Sequence, residues 1–96
     1  MNSAESISLN DVPVPDTGYR LEEFDDELVL YHGTATQVVY LNETAAIVWR
    51  LCDGKRTVEN ICALLKEAYP NMADQVESDV TTTLAELVHS GALTLR

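Results

Sequence analysis

The chain has 96 residues, of which 46% are hydrophobic, and its 16 acidic and 6 basic side chains give a formal net charge of −10 at pH 7. This length fits one compact domain, and the longest uncharged apolar run is far shorter than the roughly 20 residues of a membrane span. The charge disfavours a nucleic-acid partner, because a protein that displaces counterions from phosphates needs a face of lysine and arginine.

Residues 1–17 show neither helical nor strand periodicity. They combine Ser, Asn, Asp and Thr with the prolines of VPVP (12–15). This composition predicts a flexible acidic N-terminal segment or an extended edge segment, and we expect the remaining domain, residues 18–96, to fold without it. The segment also lacks the basic and apolar regions of a signal peptide, which predicts a cytoplasmic protein.

Three short runs of β-prone residues follow, with the sequences YRLEEF (19–24), ELVLYH (27–32) and QVVYL (37–41). Asp25 and Asp26 separate the first two runs and suit a tight hairpin turn. The segment HGTAT breaks the second run before the third begins. The pattern therefore predicts a three-stranded antiparallel meander.

After the third run the apolar spacing lengthens to three or four residues, which predicts three amphipathic helices. Asn42 and Thr57 are the predicted N-caps of the first two helices, and residues 71–74 have the pattern of a capping box for the third. Pro70 and Gly91 are predicted to end the second and third helices. The apolar stripes comprise Ala45, Ala46, Trp49 and Cys52, then Val58, Ile61, Cys62, Leu65 and Tyr69, then Val76, Val80, Leu84, Leu87 and Val88.

The order of these elements predicts the fold class. Three strands cannot bury both faces of their sheet, and amphipathic helices need an apolar partner. The sequence therefore predicts an α+β domain of the winged helix-turn-helix type, with a three-stranded antiparallel sheet followed by three α-helices.

Residues able to perform chemistry are few. Cys52 and Cys62 lie ten positions apart within apolar patterns, which indicates buried thiols in place of a disulfide or a zinc site. His32 and His89 have no ligand-spaced neighbours, and the serines and glycines form neither a nucleophile elbow nor a phosphate loop. We expect no catalytic residues, no metal and no cofactor.

The stretch from Tyr40 to Ile61 reads YLNETAAIVWRLCDGKRTVENI. It combines a Leu-Asn strand end, a Thr-Ala-Ala helix start and an Asp-Gly-x-Arg-Thr-Val turn, and in this it resembles the PqqD family. The similarity continues through AYP (68–70), DV (79–80) and LAEL (84–87) to GAL (91–93), and so covers roughly residues 18–95. Only the N-terminal segment lies outside it.

The resemblance implies a winged helix-turn-helix module that binds the leader segment of a ribosomally made precursor peptide. Such modules present the leader to a separate modifying enzyme, which the resemblance implies to be a radical S-adenosylmethionine maturase. The pathway stays open between pyrroloquinoline quinone biosynthesis, a lasso-peptide pathway and another peptide maturase. We expect a monomer or weak dimer without membrane or nucleic-acid partners.

The resemblance also implies where the leader lies, which is beside the third strand and against the third helix. Strand addition supplies backbone hydrogen bonds, and pockets between strand and helix supply selectivity. The predicted peptide-binding residues are Gln37, Val38, Val39, Tyr40 and Leu41 on the strand and Val76, Asp79, Val80, Thr83, Leu84 and Leu87 on the helix. Core packing is the competing role for Val80 and Leu84.

Two other functional classes fit the sequence less well. A winged-helix DNA-binding regulator needs basic residues on its recognition helix, whereas residues 72–90 contain no Lys or Arg and four acids. A small enzyme needs a convergent catalytic set, and the sequence offers none.

Overall fold

The computed structural model describes residues 7–34 and 38–96. Its strands are β1 (Pro13–Pro15), β2 (Tyr19–Phe24), β3 (Glu27–His32), β4 (Val38–Leu41) and β5 (Leu93–Leu95). Its helices are α1 (Glu43–Leu51), α2 (Val58–Ala68) and α3 (Ala73–His89), with a 3-10 turn at Pro70–Met72 between α2 and α3. The three-stranded sheet followed by three helices confirms the predicted α+β class.

The main sheet has the strand order β2-β3-β4, and both pairs are antiparallel. Asp25 and Asp26 form the β2–β3 turn with φ values of 49° and 67°. Two-residue hairpins with positive φ at both positions match the right-handed twist of the flanking strands, and Asp tolerates that conformation. The predicted hairpin is confirmed.

The core lies between one face of this sheet and the three helices. Leu30, at the centre of β3, is fully buried and pairs with Leu21 of β2 and Val39 of β4. It belongs to one apolar cluster with residues of all three helices and β5. The fully buried aliphatic members of that cluster are Leu30, Val48, Val58, Ile61, Val80, Leu84, Leu87, Ala92 and Leu93.

The first two helices begin as predicted. The Asn42 Oδ1 accepts a hydrogen bond of 2.7 Å from the Ala45 N–H, and the Thr57 Oγ1 accepts one of 3.1 Å from the Asn60 N–H. The predicted capping box at 71–74 is wrong, because the 3-10 turn precedes α3 and Met72 occupies its N-cap without a side-chain hydrogen bond. The turn is closed by the Met72 N–H, which donates to the Tyr69 carbonyl at 3.0 Å.

The Asp-Gly-x-Arg-Thr sequence forms the link between α1 and α2. Asp53 Oδ1 accepts hydrogen bonds of 2.9 Å from the backbone N–H groups of both Lys55 and Arg56. These bonds, the Arg56 one first, lower the pKa of the Asp53 carboxyl. The Arg56 guanidinium contacts the same carboxylate at 3.1 Å and donates to the Leu51 carbonyl at 3.3 Å, which satisfies a terminal carbonyl of α1.

Within the N-terminal segment 1–17, for which the sequence left a flexible and an extended form open, Pro13–Pro15 form the extended strand β1. β1 pairs antiparallel with β5, and Pro13 is fully buried. Upstream of β1, the Asp11 carbonyl accepts from the Val58 N–H at 2.9 Å and the Leu9 carbonyl accepts from the Glu59 N–H at 3.0 Å. The segment thereby satisfies N–H groups at the start of α2, which have no partner within the helix. Residues 1–6 lie outside the described residues.

Deletion of residues 1–15 is therefore expected to destabilise the domain. The deletion removes β1 and both hydrogen bonds to the start of α2, and each such bond is worth about 1 kcal/mol net. We expect a loss of about 2 kcal/mol or more, which for a domain of this size lowers Tm by roughly 8–16 °C. Thermal unfolding followed by circular dichroism measures this, with deletion of residues 1–6 as the comparison that keeps β1. Equal Tm values for the two deletions would contradict the structural role of β1.

Candidate functional site

The strand β4 lies at an edge of the main sheet. β3 occupies one side of it, and in the described ranges no strand pairs with its other side. Val39 and Leu41 pack towards the core, whereas Val38 and Tyr40 point away from it and keep 46% and 68% of their surface exposed. An edge strand offers free backbone donors and acceptors to another extended segment. Of the predicted strand residues, Gln37 lies outside the described residues.

An apolar depression of about 220 Å³, which we call the apolar socket, lies where the three helices meet. Side chains from α1, α2, the 3-10 turn and α3 line it, namely Ile47, Leu65, Tyr69, Met72, Val76 and Val80, with Glu43, Thr44 and Asp79 at the polar positions. Its volume is below the roughly 300–1,000 Å³ of small-molecule sites. The socket therefore suits one or two apolar side chains of a peptide better than a cofactor.

Glu43, the first residue of α1, connects the edge strand to the apolar socket. A shallow depression at the end of β4 is lined by Tyr40, Leu41 and Asn42, and Glu43 lines both this depression and the socket. An extended chain that leaves the end of β4 thus reaches the socket by passing Glu43.

The predicted helix residues divide into two groups. Val76, Asp79 and Val80 line the apolar socket. Leu84 and Leu87 are fully buried in the core, and Thr83 is half-buried and lies outside the socket lining.

The sequence-based prediction did not include the socket residues of α1, α2 and the 3-10 turn. Tyr69 and Met72 were detectable, since they are large apolar residues on either side of Pro70 and each keeps 45% of its surface exposed. Ile47 and Leu65 continue the apolar stripes of their helices and gave no separate signal.

The charge around the site is negative. Glu43 and Asp79 are exposed at the socket, and the residues that line it include no Lys, Arg or His. Acids also cluster on the nearby β2–β3 hairpin, where Asp26 and Glu27 line the depression at the end of β4. Such a field attracts cationic segments and speeds their encounter with the site.

The two cysteines are buried thiols. The Cys52 Sγ donates to the Val48 carbonyl at 3.1 Å, and burial raises the pKa of this thiol from about 9 to about 12. Burial also raises the pKa of Cys62. Over residues 7–34 and 38–96, no three side chains of His, Cys, Asp or Glu converge as metal ligands, and no helix there is long and apolar enough to cross a membrane.

Comparison with known proteins identifies the family. The family model described as coenzyme PQQ synthesis protein D (PqqD) matches residues 27–93, which include β4 and every residue of the apolar socket. The chain belongs to the PqqD family.

Two relatives and one solved structure extend this finding. A PqqA binding protein of Pseudomonas paraeruginosa is 35% identical over 86% of this chain and 88% of its own length. One of Klebsiella pneumoniae is 41% identical over 70% of this chain and 72% of its own length. The solution NMR structure of the PqqD part of Methylobacterium extorquens PqqCD, described as a functional stand-alone recognition element for ribosomally synthesised and modified peptides, superposes with a TM-score of 0.77. It is 28% identical, and the match covers 98% of this chain and 99% of that one.

The buried cysteines of this PqqD-family chain should resist alkylation in the native state. At pH 8 a thiol with a pKa near 12 is protonated, and burial blocks its access to reagent. Mass spectrometry after iodoacetamide treatment should show no adduct at Cys52 or Cys62 until guanidinium unfolds the protein.

The raised pKa of Cys52 also makes the stability of the fold depend on pH. Because the folded pKa is raised, only the unfolded state releases the proton once the pH exceeds about 9, and stability should fall as the pH rises further. Rapid alkylation of Cys52 in the native protein at pH 8 would contradict a buried, protonated thiol at this position.

Proposed function

We propose that the chain binds the leader segment of a PqqA-type precursor peptide by adding it as a strand to β4, and presents it to a separate modifying enzyme. The observation that carries the proposal is the position of β4 at the sheet edge, with Glu43 joining its end to the apolar socket. The names of the Pseudomonas and Klebsiella relatives, both PqqA binding proteins, support the same ligand.

Binding energy in this arrangement has two sources with different roles. Backbone hydrogen bonds along β4 contribute about 0.5–1.5 kcal/mol each, and they are insensitive to the side chains of the leader. An apolar side chain moved from water into the socket contributes roughly 1.5–3 kcal/mol. Discrimination between peptides therefore depends on the socket, whose lining includes Val76 and Asp79 of the predicted set together with Val80, which is fully buried in the core.

The socket also specifies the leader chemistry. Its floor is apolar, and Glu43 and Asp79 hold negative charge beside it. The leader that fits best carries a leucine-sized or aromatic anchor, with a Lys or Arg close to it in sequence. Because Glu43 and Asp79 are exposed, their attraction to a Lys or Arg of the leader speeds association more than it adds affinity.

In this proposal the chain is a presenter and the chemistry belongs to its partner, a radical S-adenosylmethionine maturase. Presentation needs a leader held in a fixed register, which an apolar anchor in the socket sets, because backbone pairing with β4 does not by itself distinguish one register from the next. The cytoplasmic location and the monomeric or weakly dimeric state stay predictions.

DNA binding is not favoured by the described surface. Within α3, which would be the recognition helix, no Lys or Arg occurs and Asp74, Glu77, Asp79 and Glu86 repel phosphate. Recognition of DNA relies on cationic contacts to the backbone for most of its affinity.

Obstruction of the apolar socket should weaken leader binding without unfolding the domain. Thr44→Arg places a long side chain at an exposed position of the socket lining. Affinity for synthetic PqqA peptides of the two relatives' organisms, measured by calorimetry, should fall about tenfold or more, which equals about 1.4 kcal/mol.

The matched control for this variant is Thr82→Arg, which adds the same charge at an exposed position of α3 outside the socket lining. It should bind the peptides within twofold of the unsubstituted protein. If the two variants bind equally well, or if neither peptide binds the unsubstituted chain, the proposed site is wrong.

A further inference from the structure

The sheet has a second face that the core does not use. Because strand side chains alternate, the neighbours of Leu30 on β3, Val29 and Tyr31, point away from the helices. The pairing register sets Val29 opposite Tyr40 and Tyr31 opposite Val38. We call this surface, together with Phe24 at the end of β2, the outer face.

The outer face exposes several large apolar side chains. Phe24 and Tyr40 each keep 68% of their surface exposed and Val38 keeps 46%. Together with Tyr31, and with Val29 buried beneath them at 9% exposure, they line a broad concavity of about 550 Å³. Contiguous exposed patches of this composition mark interaction surfaces, and aromatic residues dominate the energetics of such interfaces.

Acids border this apolar centre. Glu22, Asp25 and Glu27 line the same concavity, and the register sets Glu22 opposite Val29 and Glu27 opposite Phe24. An interface with an apolar centre and a charged rim matches the usual anatomy of a protein contact. The complementary surface therefore has an apolar centre and a rim of Lys and Arg.

This charge pattern selects between the candidate occupants. A second copy of the chain would set the same acids against each other, with Arg20, opposite Tyr31, as the one basic residue on this face among the described strands, and each copy carries a net charge of −10. A membrane surface suits a basic amphipathic patch, not an acidic one. A separate protein with a basic rim fits both the shape and the sign of the outer face.

Most of the outer face is also free while a leader is bound, since only Tyr40 and Glu27 line both its concavity and the depression at the end of β4. A peptide added to β4 uses the backbone at the strand's edge and the socket among the helices, whereas the outer face consists of side chains directed away from the helices. A leader and a second protein can therefore occupy the domain together.

We propose that the outer face is the docking surface for the modifying enzyme, which contacts it through an apolar patch bordered by Lys and Arg. This inference rests on the proposed function, because a presenter needs one surface for the leader and another for the enzyme. The enzyme then meets a leader that is already held in register at the adjacent sheet edge.

Two pairs of variants test the proposal. Phe24→Ser removes the exposed aromatic, and Leu64→Ser is its control, since Leu64 is an exposed aliphatic residue of α2 with 42% of its surface accessible. Glu27→Lys reverses a rim charge, and Glu67→Lys makes the same change on the exposed surface of α2. None of these four residues lines the apolar socket.

The probe is the radical S-adenosylmethionine maturase that acts on PqqA in the organism of either relative, immobilised for surface plasmon resonance. We expect Phe24→Ser and Glu27→Lys each to weaken its binding about tenfold or more, with slower association for Glu27→Lys. The two α2 variants should bind the enzyme within twofold of the unsubstituted chain. Phe24→Ser and the two α2 variants should keep the calorimetric affinity for the PqqA peptides, whereas Glu27→Lys also changes the depression at the end of β4 and is judged on enzyme binding alone.

Three results would overturn the docking surface. The first is enzyme binding that Phe24→Ser and Glu27→Lys leave unchanged, and the second is a chain that binds PqqA peptide but not the enzyme. The third is a dimer, seen by sedimentation, that Phe24→Ser dissociates, since a second copy would then be the occupant. Loss of peptide binding by the unsubstituted chain is a separate result, which refutes the proposed function itself.

Discussion

Burial of Leu30 between the sheet and three helices is the interaction on which the rest of the structure depends. The helices follow β4 in sequence and pack on the sheet face that carries Leu30, so the register of both hairpins is fixed by that face. A slip of one residue would send every core side chain outward. The same constraint leaves two surfaces unused, which are the free edge of β4 and the outer face. The proposed peptide site and the proposed enzyme site therefore both follow from which face of the sheet packs against the helices.

The sequence predicted the elements whose signals are local. The Asp25-Asp26 turn, the caps at Asn42 and Thr57 and the bounds of β2 and β3 agree with the structure because neighbouring residues determine them. β1 was missed because three residues containing two prolines have no periodicity, and their partners in β5 lie at the other end of the chain. Such pairing depends on tertiary contacts that a local pattern does not encode.

The candidate site likewise contains residues that the sequence predicted and residues that only the packed structure reveals. The edge strand and the socket residues Val76, Asp79 and Val80 were predicted, because the family resemblance points to the third strand and third helix. The remainder of the socket comes from α1, α2 and the 3-10 turn. Side chains from these separate elements come together only when the helices pack against one another. The outer face was visible in the alternation of β3 and β4, yet the choice of which face meets the helices required the burial of Leu30.

In the proposed complex a leader peptide becomes a fourth strand beside β4 and anchors in the apolar socket. Isotope-filtered NMR on the labelled chain with unlabelled PqqA peptide tests this arrangement, because nuclear Overhauser contacts report which protons touch. We expect contacts between the peptide backbone and the backbone of Val38–Leu41, and between an apolar peptide side chain and the methyl groups of Ile47 and Val76. Peptide contacts confined to Phe24 and Tyr31 of the outer face, or to the exposed surface of α2, would contradict it.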